Sequence, residues 1–235
     1  MGTDIHLGVE RFTGSEWTPV EGVLPTNEDW QKAMGHPINH AKMDEFMMRN
    51  PTARDYDTFA ILAGVRNGVG FAGKKRCEPV EPCFGDRGIP DDTSFELEGD
   101  NWVGGDHSFT HFTYKEAIEK VPWSKEVVTF GFVPLDHYAR WKERGDVCPE
   151  TWCSGGSLEV ISEEQAAILI ANEDVEYREE DDRHSIYMGP YVEARWVMRP
   201  MADAPFRRWL LSPEMQELAD QYGAEKIRIL ASFDS

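Results

Sequence analysis

Asp4–Phe12 reads DIHLGVERF and alternates strictly. Ile5, Leu7 and Val9 point one way; His6, Gly8, Glu10 and Phe12 point the other. That period of two is the signature of a half-buried strand. Lys226–Phe233, KIRILASF, repeats it with Ile227, Ile229, Ala231 and Phe233. Two such strands near opposite ends of a 235-residue chain predict one sheet that holds both. Helical signals fill much of the interval. The expectation is an α+β fold in a single domain over 1–235. Its mixed or antiparallel sheet contains the first and last strands, is flanked by helices and carries long loops.

Working outward, Ala53–Gly73 reads ARDYDTFAILAGVRNGVGFAG. Phe59, Leu62, Ala63 and Arg66 recur at the spacing of one helix face. Asp55 or Asp57 is placed to cap its N-terminus. Asn67-Gly68 is expected to stop it, since both residues tolerate positive φ. Gly68, Gly70 and Gly73 follow, and their backbone N–H groups could approach an anion. The stretch is no P-loop, because it lacks a G-K-[ST] ending and follows a helix instead of a strand.

Shorter signals place the remaining elements. Thr13-Gly14-Ser15 turns the chain, and Trp17–Val20 returns it. Thr26 with Asp29 opens a short helix over Asp29–Met34; Met43, Phe46 and Met47 suggest another turn. Residues 74–107 read as a long loop, a length usually reserved for function or disorder. Thr113 with Glu116, and Ser162 with Gln165, form capping boxes for helices over Tyr114–Lys120 and Glu163–Asn172. Val127–Val133 and Leu158–Ile161 are strands, and Leu135–Arg144 is a helix closed by Gly145. Tyr191–Leu211 has helical character interrupted at Pro200 and Pro205. Ser212-Pro213 starts a last helix, with proline in its first turn, which Gly223 ends.

Lys and Arg number 24 against 43 Asp and Glu, a net charge of −19. Such acidity repels phosphate backbones, which argues against direct nucleic-acid binding and against anionic membranes. It suits a decoy that occupies a basic groove on another protein. No signal peptide or membrane-length apolar run is visible, so the expected location is the cytoplasm. The cysteines fall as Cys77-x5-Cys83 and Cys148-x4-Cys153, a looser spacing than zinc sites use. Reduced thiols, with no metal and no cofactor, are the expectation.

Several fragments carry chemistry. Asp4-x-His6, Asp86 and Gly105-Asp106-His107 fall in the order of a metallophosphoesterase signature, whose two metals would activate water. In that fold the Asp-x-His pair closes a buried strand, whereas here it opens one. His111-Phe112-Thr113 matches the H-x-[ST] element of two-histidine phosphoesterases, but no distant second copy accompanies it. His107 and His111 then read as local hydrogen-bonding groups in a loop. Ser108, His6 and Asp86 could be drawn as a hydrolase triad, without a G-x-S-x-G elbow to support it. What stays in common is a polar set in well-punctuated loops: His6, Arg54, Arg66, Asn67, Arg87, Asp91, Asp92, Asp106, His107 and Ser108. Arginines grip phosphate or carboxylate in a forked geometry, and acids bind ribose hydroxyls or those same arginines. The set reads either as a ligand pocket or as a structural ion-pair network.

The opening Met1-Gly2-Thr3-Asp4-Ile5-His6-Leu7-Gly8-Val9-Glu10 is similar to that of uncharacterised phage and actinobacterial proteins that begin M-G-C-D-I-H-L-Y-V-E. The similarity continues through Arg54–Asp57, Phe59–Leu62, Val65–Gly68, Arg87–Asp92 and Asp106–Ser108, to Ile227–Ile229 and Phe233-Asp234. Thr3 replaces that family's cysteine, and the four cysteines of this chain are not a feature associated with it. The resemblance implies a phage or prophage setting, in which small acidic accessory proteins often counter host defences.

Three expectations follow. The first is a phage-type accessory protein that binds a phosphorylated or nucleotide-like ligand, with Arg66 and Arg87 on its anionic groups and Asp91, Asp92 and His107 reading or activating it. The second is an acidic inhibitor or nucleic-acid mimic that binds a host defence protein and does no chemistry. The third is a metal-dependent phosphoesterase built on Asp4, His6, Asp86 and His107.

Overall fold

The computed structural model describes residues 3, 5–24, 55–69, 78–94, 107–145, 159–177 and 189–233. The expected helices around Asp29–Met34 and Met43–Met47 lie outside them. The chain divides into two compact units, one of Met1–Asn67, Pro79–Glu126 and Arg199–Ser235, the other of Gly68–Glu78 and Val127–Met198.

The first unit is built on a four-stranded sheet. Strand β1 (Ile5–Phe12) pairs antiparallel with β2 (Trp17–Pro19) on one side and with β7 (Ile227–Phe233) on the other. Strand β3 (His107–Thr113) adds to the far edge of β7, giving the order β2-β1-β7-β3. The sheet is antiparallel and contains the first and last strands, as the alternation of DIHLGVERF and KIRILASF requires. The register sets Leu7 opposite Ala231, with Thr110 on the next strand, and Val9 opposite Ile229 with Phe112. One face is therefore apolar.

Helix α1 (Tyr56–Ala63) covers that face. Asp55 caps it by accepting from the Thr58 backbone N–H, one of the donors a helix start leaves unpaired. Phe59 is fully buried and meets Phe233 edge-on, ring centroids 5.3 Å apart. Phe112 stacks on Phe84 at 4.4 Å and meets Phe206 of α5 (Pro205–Leu210) edge-on at 6.2 Å. Helix α2 (Tyr114–Lys120) carries the expected capping box between Thr113 and Glu116. Helix α6 (Pro213–Tyr222) is capped by Ser212, has Pro213 in its first turn and buries Met215 and Leu218.

The second unit holds a smaller sheet, in the order β4 (Glu126–Pro134), β6 (Tyr191–Pro200), β5 (Val160–Ile161), in which β5 runs parallel to β6. Helices α3 (Leu135–Arg144) and α4 (Glu163–Ala171) pack with it. Val133, Leu135, Tyr138, Ala166, Val192 and Ala194 form the core. Gly145 closes α3 in the left-handed region at φ 77°, where a Cβ would be strained. Ser162 and Gln165 form the expected capping box of α4.

Four expectations need correction. Tyr191–Pro200 is a strand, not a helix: Val192 and Ala194 are buried while Glu193, Arg195 and Val197 are exposed, a period of two. Helix α1 ends at Gly64 (φ 77°), before Asn67-Gly68; the earlier glycine supplies the left-handed cap, and the chain turns again through Arg66 at φ 55°. His107–Thr113 lies in the sheet instead of a loop. Strand β1 is buried on both faces from Ile5 to Glu10, not on one, because polar partners cover its second face.

Replacing Phe59 by Ala should cost about 3–5 kcal/mol. Ser212→Ala, which removes a cap, should cost about 1 kcal/mol. Urea titration of the two variants tests that ranking, and equal losses would contradict the placement of Phe59 at the centre of the core.

Candidate functional site

The second face of the large sheet is polar yet enclosed. The register puts His6 opposite Ser232, Gly8 opposite Leu230 with His111 beyond it, and Glu10 opposite Arg228 with Thr113 beyond it. Ser232 and Glu10 are fully buried, and His6 and Arg228 nearly so. Pairing of β3 with β7 shifts register between His107 and Thr110, and Ser108 within that shift has φ 55°. Such bulges re-aim side chains and recur beside functional sites. The Thr110 hydroxyl, buried on the apolar face, finds no hydrogen-bond partner among the described residues.

Glu10 and Arg228 organise this face. Arg228 Nε and Nη2 donate to Glu10 Oε2 at 2.7 and 2.6 Å. Glu10 Oε1 accepts from the hydroxyls of Thr93 and Ser94, each at 2.7 Å, and from the Ser94 backbone N–H. These donors fill the acceptor capacity of a carboxylate. Arg228 Nη1 reaches Asp92 Oδ1 at 2.6 Å, while the Trp17 indole donates to Asp92 Oδ2 at 3.0 Å. The guanidinium carbon lies 4.1 Å from the centroid of the Trp17 ring. Hydrogen bonding from Arg228 holds the Asp92 carboxyl below its usual range. The 92–94 segment is thus clamped to the sheet by a saturated charge pair.

Arg87 serves a similar purpose. It donates to the His111 carbonyl at 3.1 Å, forms a forked pair with Glu116 at 3.3 Å, and lies 4.9 Å above the Phe84 ring. The His111 Nδ1 sits 3.1 Å from the Gly88 carbonyl. Glu116 also receives Lys120 Nζ at 2.7 Å and the Thr113 backbone N–H at 3.0 Å. Burial alone would raise the Glu116 carboxyl; the hydrogen bonds from Lys120, Thr113 and Arg87 outweigh it and bring it down to about 2.

The other sequence-predicted residues are spread over separate arrangements. Arg66 Nε donates to the Thr3 hydroxyl at 2.7 Å and faces the Tyr56 ring. Asn67 imitates a backbone partner: its amide donates to the Val80 carbonyl at 2.6 Å and its oxygen accepts from the Val80 N–H at 2.8 Å. Asp91 is exposed in the turn beside Asp92. The structure therefore joins Arg87 to His111, and Asp92 to Arg228. Arg54, Asp106, Asp4 and the His107 side chain lie outside the described residues. So do Cys77, Cys148 and Cys153. Cys83 donates its thiol to the Lys120 carbonyl at 3.5 Å, and burial pushes that thiol up. Among the described residues, no three His, Cys, Asp or Glu side chains are grouped to hold a metal ion, and no helix is long and apolar enough to cross a membrane.

A concavity of about 530 Å³ lies in the second unit, between α3 and α4. Tyr138 and Lys142 form one wall; Glu163, Glu164, Ala167, Ile170 and Ala171 form the other. Lys142 Nζ is 3.8 Å from Glu163 and 5.0 Å from the Tyr138 ring centroid. Burial, with the charge of Glu163 and a hydrogen bond to it, pushes the Tyr138 phenol up to about 12. Glu164 has no ionic partner among the described residues. Helix α4 turns Ala166 to the core and leaves Glu164, Ala167, Ile168 and Ala171 in water. Those four share one face at helical spacing, and Ile168 is 60% exposed. An all-round apolar helix is normally buried on all sides. The run AAILIA carried that signal, but a lone sequence cannot say which side the core takes.

Two outcomes test these networks. Glu10→Leu or Arg228→Leu alone should each cost about 3–5 kcal/mol, and the double variant far less than their sum, because breaking a buried pair strands one charge. A double-mutant cycle in denaturant measures this; additive losses would refute the clamp. Glu116 titrates lower folded than unfolded, so its stabilisation is complete above about pH 4.5 and is lost as pH falls toward about 2. The stability difference between the wild type and Glu116→Gln should shrink across that window.

Neither a protein-family model, nor a curated protein, nor a solved structure matches the chain.

Proposed function

We propose that this protein works by binding another protein through an acidic, partly apolar face on its second unit. The observation that carries this reading is the α3–α4 concavity, with an apolar helix face left in water beside Glu164, which has no ionic partner among the described residues. Exposed apolar surface framed by polar groups marks interaction sites. In the same unit Glu159, Glu173, Asp174 and Glu176 are also exposed, and the chain as a whole carries −19. A field of that sign speeds encounter with basic partners and repels nucleic acid. The resemblance to phage proteins would make the partner a host defence protein in the bacterial cytoplasm.

The nucleotide-like ligand reading draws on one different feature, the enclosed polar sheet face with His6, Ser232 and the bulge at Ser108. It asks more of Arg66 and Arg87, which would first have to leave Thr3 and Glu116. Recruiting either cation would break the hydrogen bonds that now hold it.

Affinity capture from bacterial lysate tests the choice. The wild type should retain a protein that elutes with salt. A variant with Glu159, Glu164 and Glu173 changed to Gln and Asp174 to Asn should lose it. Equal retention by both would overturn the acidic-face assignment, and retention by neither, with a rise in melting temperature on adding nucleotides, would move the function to the polar sheet face.

A further inference from the structure

We infer that the groove between α3 and α4 accepts a single amphipathic helix of the partner, apolar on its inner side and carrying Lys or Arg along one edge. This rests on the protein-binding reading above and specifies the recognition mode. Three observations lead to it. The groove is lined by side chains of two helices, so it offers a wall for ridges and grooves instead of a strand edge for backbone pairing. Its α4 wall is small and apolar at the exposed Ala167 and Ala171, which lets a helix approach closely. Its rim is acidic at Glu164, which has no ionic partner among the described residues, whereas Glu163 is already met by Lys142 at 3.8 Å. Helix α4 spans nine residues, roughly 13 Å at 1.5 Å per residue, which matches two to three turns of an occupant. A second copy of this chain would bring acid against acid, so charge favours a basic partner.

The test uses the full chain and two synthetic helical peptides, one of Leu and Lys and one of Leu and Glu, each about 15 residues so that helix can form. Fluorescence anisotropy is read near physiological salt. Two variants separate groove filling from bulk charge. Ala167→Glu puts a long side chain and a negative charge in the groove, at an exposed helix position. Gln165→Glu adds the same charge on another face of α4 and keeps the capping box, which accepts either residue.

The Leu/Lys peptide should bind, at least tenfold more tightly than the Leu/Glu peptide. Ala167→Glu should weaken it about tenfold or more despite the added negative charge, and Gln165→Glu should leave it equal or slightly tighter. If Ala167→Glu binds as tightly as Gln165→Glu, attraction is non-specific and the groove assignment fails. If the two peptides bind alike, or the wild type binds neither, the basic-helix assignment fails. Circular dichroism of both variants excludes unfolding as the cause. Should the captured lysate protein persist on Ala167→Glu while the peptide arm fails, the acidic-face reading stands and only the groove is overturned.

Discussion

The buried pair of Glu10 and Arg228 is the constraint on which the first unit depends. Each residue lies on a strand at the middle of the sheet, directly across from the other. A carboxylate with no exposed surface must be satisfied by donors or it destabilises the fold by several kcal/mol. Here the satisfaction comes from three places at once: the neighbouring strand, the Thr93–Ser94 segment, and through Arg228 the Asp92–Trp17 contact. The same pair therefore sets strand register, seats the loop and covers the polar face. An apolar substitute could match the stability; the charged pair adds one particular partner to the register that the alternation of β1 and β7 already favours.

The division of labour between the units is chemical. In the first, the described cations named as candidate ligand grips are used internally: Arg66 on Thr3, Arg87 on Glu116 and His111. In the second, helix α4 turns an apolar face to water beside Glu164, which has no ionic partner among the described residues. Saturated polar networks give specificity of fold, while exposed apolar surface beside like charge gives a surface that binds. That contrast is why the protein-binding reading is preferred.

Much of the fold was legible because it follows local rules. The alternation of DIHLGVERF and KIRILASF sufficed for the sheet, and the pairs Thr113/Glu116 and Ser162/Gln165 sufficed for two helix starts. The failures share a cause. YVEARWVMRP alternates, but Ala, Glu, Arg and Met favour helices, and tertiary pairing with β4 and β5 overrode that preference. HSFTHFT is rich in strand-compatible residues, yet its histidines drew attention to chemistry. The candidate site was less legible than the fold. Arg66 and Arg87 read equally as ligand grips or as members of an ion-pair network because Thr3 and Glu116 are distant in sequence, and Glu10 fell on the face opposite the apolar one with its partner Arg228 218 positions away. The α3–α4 groove needed two helices to be set side by side, which no single stretch of sequence specifies.

The central pairing of β1 with β7 has a kinetic meaning. Strand β1 is buried on both faces from Ile5 to Glu10, yet its partner β7 is synthesised long after it, Arg228 standing 218 positions beyond Glu10. Closing a contact across so much chain costs loop entropy, which is lost before any pairing rewards it. During translation β1 therefore has an unpaired edge and an unmatched Glu10 until β7 emerges. The second unit, whose strands and helices span 126–200, can form while β1 waits. The sheet can close only once β7 is made, and the Glu10–Arg228 contact is the latch that its closure sets.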